Sequence, residues 1–101
     1  MITYNNAKKT IKELQHYIEL IDNYEINTID DLIIYMYAIH NSISQVIKQI
    51  KKSHYVNTFD TTLVTPKYIT SVILGNKRNE LHGIIKKQYK EKTRPRRRMH
   101  N

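Results

Sequence analysis

The chain of 101 residues contains no cysteine, and only two glycines and two prolines. Without thiols it forms neither disulfides nor thiolate zinc sites, and it has no cysteine nucleophile. So few breakers argue against a turn-rich all-β fold and for helices with few interruptions. Long apolar runs are missing too. The first twenty residues are interrupted by Lys8, Lys9, Lys12 and Glu13, so no secretory leader is expected. Nothing approaches the roughly twenty apolar residues a bilayer requires, and a cytoplasmic protein without membrane partners is expected.

What is present is positive charge, unevenly placed. Residues 1–50 hold four basic side chains against six acidic ones, whereas residues 51–101 hold thirteen against three. All of the +8 excess therefore lies in the second half. Solubility alone would not need that segregation; a polyanion partner would.

The apolar periodicity predicts a single all-α domain over residues 1–93. Asn5 and Asn6 are capable N-caps, and Ile11, Leu14, Ile18 and Ile21 then recur at helical spacing, predicting a first helix that stops by Asn23. Thr28 to Asp31 resembles a capping box, and a second helix is expected from Ile29 to Lys52. These two would form a hairpin scaffold over residues 1–52. Leu32 to Ile39 is apolar or aromatic all round, which requires a place at the bundle centre or a self-association surface. Leu32, Tyr35, Met36, Ile39 and Ile43 mark that core or homodimer surface. A buried strand is the competing reading of the same run.

Residues 53–63 have poor helix propensity, so a short helix and an ordered loop are equally compatible, with Phe59 in the core either way. Thr65 and Pro66 then form a helix start, and Gly75 is expected to end that helix in the left-handed conformation. A fourth helix should run from Asn79 to about Lys92, with Gly83 permitting a close crossing. These two helices form the expected reading module of residues 53–93. Residues 94–101 are a basic tail, expected to be disordered in isolation.

No catalytic constellation stands out. The five histidines have neither H-x-x-x-H nor H-x-H spacing, and a phosphate-cradling loop needs more glycine. Asp30 and Asp31 are explained by the dipole of a first helical turn. Neither enzymatic activity, nor a cofactor or metal, nor a small-molecule substrate is expected.

Val64 to Asn79, reading VTPKYITSVILGNKRN, resembles the recognition helix and following basic turn of Cro/CI-type helix-turn-helix regulators from phages and mobile elements. The resemblance implies that Thr65, Lys67 and Tyr68 face the major groove and that Lys77 and Arg78 lie on the phosphate backbone. A second frame takes Ser71 to Gly75 as the motif's turn, making the last helix the reader with Lys77, Arg78, Asn79 and His82 nearest the bases. A third reading makes Gly75 to Arg78 an ordinary turn with solvated charges. Lys86, Lys87 and Lys90, with Arg94, Arg96, Arg97 and Arg98 in the tail, add sequence-independent phosphate contacts. The expected function is nucleic-acid binding, DNA ahead of RNA, by a small regulator or accessory factor of a phage or plasmid. A ribonucleoprotein component and an inhibitor docking on a nucleic-acid enzyme are the rivals.

Overall fold

A computed structural model describes residues 3–94 of the chain, leaving Arg96, Arg97 and Arg98 of the basic tail outside the described residues. It is all-helical: α1 (Tyr4–Asp22), α2 (Ile29–His40), α3 (Ile43–Lys52), α4 (Pro66–Ile73) and α5 (Glu80–Thr93). Two short 3-10 turns, His54–Asn57 and Thr61–Leu63, lie between α3 and α4, and there is no strand among the described residues. None of these helices is long and apolar enough to cross a membrane.

The helix starts follow capping chemistry. Thr28 accepts from the Asp31 N–H while the Asp31 carboxylate accepts from the Thr28 N–H, completing the expected capping box. Thr65 caps α4 with Pro66 in its first turn, and Asn79 caps α5. At α1 the cap is Thr3, which accepts from the Asn6 N–H, and Asn5 and Asn6 are already helical.

The expected long second helix is broken. Asn41 adopts the left-handed conformation at φ 51°, the only non-glycine residue with positive φ among those described. Its N–H still reaches the Tyr37 carbonyl, and Ser42 next to it caps α3 by accepting from the Gln45 N–H. Asparagine tolerates this conformation better than most residues, and serine is a strong cap, so the pair both stops and restarts a helix. Apolar spacing runs on through residues 41 and 42, which is why periodicity alone joins α2 to α3.

Gly75 departs from expectation in the opposite sense, because no glycine has a positive φ. The chain needs glycine there for space: a Cβ would lie 3.3 Å from the carbonyl oxygens of both Ser71 and Val72.

α2 sits at the centre and packs against each of the other four helices. Leu32, Ile33, Ile34 and Tyr37 are fully buried, and they share one core with Val46 and Ile50 of α3, Ile69 and Ile73 of α4, and Leu81 and Ile85 of α5. The run from Leu32 is thus covered from within the chain, as a central helix and not a strand. Tyr35, Met36 and Ile43 are half-buried, with Met36 and Ile43 packed on that core, and only Ile39 of the five marked residues is exposed. α4 and α5 close the same core as α2 and α3. Phe59 packs against the core and stacks on Tyr55.

α1 ends at Asp22 with Asn23 as its C-cap, as expected, but its apolar face lies mostly outside the core. No residue of α1 is buried, and Ile11, Leu14 and Ile18 are 54%, 57% and 55% exposed. The helix docks near its C-terminal end, through Tyr17 and Leu20 on another face and Ile21 at the end of the stripe, with the Tyr17 hydroxyl donating to the Ala38 carbonyl at 2.8 Å. Burial holds the Tyr17 phenol above its ordinary range, and the neighbouring Tyr37 adds to that.

Candidate nucleic-acid interface

Helical spacing places Gly83, Lys87 and Lys90 in one row along α5, at i, i+4 and i+7, and Arg94, the C-cap residue just past the helix, continues it at i+11. The row is about 16 Å long at 1.5 Å per residue. Lys87, Lys90 and Arg94 are exposed, with Lys86 half-buried beside them. Lys77 joins from the α4–α5 turn, and together with Glu80 and Glu91 these residues line one open groove.

Gly83 is what lets Lys77 lie there. A Cβ on Gly83 would come within 2.8 Å of the Lys77 Cε and 3.1 Å of its Cδ, so the lysine stem crosses α5 where the helix has no side chain. The close approach is therefore between a side chain and a helix, where the sequence had suggested two helices. Gly83→Ala should raise stability by up to about 1 kcal/mol through helix propensity, because the lysine's flexible end can swing away. The same change should weaken nucleic-acid binding several-fold by moving one cation off the row. Thermal unfolding and a binding titration on the same variant separate the two effects.

The other cations differ in how far they are committed within the chain. Lys86 donates from Nζ to the Gly75 carbonyl at 2.8 Å, in the turn just past the end of α4, and Lys92 reaches the Asn41 carbonyl at 2.7 Å. Arg78 is paired with Asp30 across 2.6 Å. The second Asp30 oxygen accepts from the Tyr68 hydroxyl, so one carboxylate of α2 holds both α4 and the turn. That hydrogen bond, ahead of burial, keeps the Tyr68 phenol above its ordinary range. Asp30 thus has a cross-helix role that its place in a first turn does not reveal.

The two helix-turn-helix frames meet different surroundings. Ahead of α4 stand the two 3-10 turns in place of a full supporting helix. Thr65 is occupied as a cap, Tyr68 is tied to Asp30, and Lys67 and Ser71 are exposed. In the second frame Asn79 is used at both ends, its Oδ1 accepting from the His82 N–H and its Nδ2 donating to the Tyr24 hydroxyl. His82 is completely buried. Its Nε2 lies 3.0 Å from the Ile73 carbonyl, and its Nδ1 is 3.2 Å from the Arg78 N–H. A carbonyl only accepts and a backbone N–H only donates, so Nε2 serves as the donor and Nδ1 as the acceptor. It clamps the end of α4 to the start of α5.

The surface therefore brings together Lys77, Lys86, Lys87, Lys90 and Arg94. Thr65, Lys67 and Tyr68 line a neighbouring depression with Leu63 and Ser71. A third depression containing Tyr68, Ser71, Lys77 and Arg78 joins the two into a continuous band. Local sequence signals could have found the row on α5, but not the Lys77–Gly83 packing or the Asp30 contacts, which depend on residues far apart in the chain. No family model, curated protein or solved structure matches the chain.

Proposed function

We propose that the chain binds nucleic acid through the phosphate backbone, with the α5 row and Lys77 as the folded contact and the Arg-rich tail as a second one. The observation that carries this reading is the row itself. Lys87, Lys90 and Arg94 stand exposed on one helix face with no hydrogen bond or ion pair to other described residues, in the half of the chain that holds the whole positive excess. Lysine and arginine in that arrangement neutralise phosphates and release counterions. Duplex DNA is the preferred ligand, because the likeness of residues 64–79 to Cro/CI-type regulators is the one sequence signal for a particular nucleic acid. On that likeness the protein serves as a regulator or accessory factor of a phage or plasmid. Base reading is assigned the smaller part, since Tyr68, Arg78 and Asn79 are engaged within the fold.

Titrating the intact chain with a DNA duplex, an RNA duplex and a single strand at several salt concentrations tests the proposal. Log affinity should fall linearly with log salt for the DNA duplex, at a slope of about −0.9 per phosphate neutralised. A salt-independent affinity, or none at low salt, removes the nucleic-acid reading. Stronger binding to RNA in direct competition replaces DNA by RNA.

A further inference from the structure

We infer that α1 is an antiparallel self-association helix, and that two copies of the chain meet along its unburied apolar stripe. Tyr4, Ile11 and Ile18 recur every seven residues, with Ala7, Leu14 and Ile21 interleaved three residues after each. That is a heptad seam of a and d positions over three heptads. Tyr4, Ile11, Leu14 and Ile18 are more than half exposed, and they make up half of the large exposed hydrophobic side chains among the described residues. The chain's own body touches α1 around Tyr17, Leu20 and Ile21, so it half-covers only the last position of the stripe and leaves Tyr4, Ile11, Leu14 and Ile18 clear.

Size and charge both select a second copy running the other way. With a positions opposite d positions, Ile11 meets Leu14 of the other copy at the centre, Ala7 meets Ile18, and Tyr4 meets Ile21. Small side chains thus face large ones, and a twofold axis repeats every layer, as an isologous interface requires. Lys8, Gln15 and Asp22 occupy the e positions. Antiparallel pairing sets e against e, placing Lys8 of each copy towards Asp22 of the other, two opposite-charge pairs from one arrangement. Parallel pairing sets e against g, where Thr10 and Tyr17 offer no charge. α1 carries three basic and three acidic side chains, whereas residues 51–101 would repel a second copy. Joining through α1 also leaves the α5 row free.

Sedimentation equilibrium of the full chain, free of nucleic acid, tests this. The wild type should show a concentration-dependent monomer–dimer equilibrium, and the double variant I11E/L14E should raise the dimer dissociation constant about a hundredfold or more with the helical circular dichroism of the body retained. K8E alone and D22K alone should each weaken the dimer about fivefold, and K8E/D22K should restore it. A wild type that stays monomeric to millimolar concentration overturns the inference, as does a dimer indifferent to I11E/L14E. Failure of the double charge reversal to restore affinity overturns the antiparallel arrangement.

Discussion

Replacing Lys87, Lys90 and Arg94 together by glutamine lowers affinity for a DNA duplex by two to three orders of magnitude at about 0.1 M salt. The size follows from counterion release: each phosphate contact contributes a slope of about −0.9, roughly eightfold at that salt relative to 1 M. Three lost contacts should also flatten the log–log slope by about 2.7. The three side chains are exposed and make no hydrogen bond within the described residues, so the fold should be unaffected. Lys9, Lys12 and Lys48 changed together to glutamine are the control, with the same loss of charge from the other half of the chain. If net charge alone drives binding, both triples weaken it equally. If the row is the interface, the control changes affinity by no more than a few-fold. Equal losses would remove the row from the interface and leave only a diffuse electrostatic attraction.

His82→Ala should cost about 3–5 kcal/mol of stability, a large share of what a domain of this size has. Two effects add. The imidazole leaves a cavity in a site with no exposure, and the Arg78 N–H and Ile73 carbonyl lose their partners. His82→Asn can still accept near the Nδ1 position, and His82→Gln can still donate near Nε2. Each should therefore recover part of the loss, whereas His82→Leu fills the space but restores neither hydrogen bond. Chemical denaturation of the four variants distinguishes a polar clamp from mere space filling. If leucine proves as stable as histidine, the clamp contributes nothing. The prediction also tests the second helix-turn-helix frame, because a base-reading histidine would change affinity and leave stability alone.

Much of the fold was legible from short-range chemistry. Thr28 and Asp31, Thr65 and Pro66, and Asn79 marked helix starts because capping needs only a side chain and the N–H groups two or three residues on. The stretch from Leu32 was legible as central because a helix apolar on all sides has no other stable place. The break at Asn41 and Ser42 was available as an asparagine followed by a strong cap, but the unbroken apolar spacing hid it. On α1 the spacing placed the helix and its end but left its packing open. An apolar stripe states that a helix face avoids water, not what it packs against, and this one is left outside the chain's own core.

The candidate site divides in the same way. Its charge, and the placing of Lys87 and Lys90 on the polar surface of the last helix, follow from composition and the 3.6-residue period, so the sequence by itself determined them, whereas Arg94 was read as tail and is the cap of that helix. Which cations remain available was decided only by the tertiary structure. Asp30 comes from the first half of the chain to take Arg78 and Tyr68, and Gly83 gives Lys77 room to lie across α5. His82 passes from candidate base contact to buried clamp. Each outcome depends on groups brought within a few ångströms by packing, and hydrogen bonds and close contacts act only at that range, so the order of residues could not encode them locally.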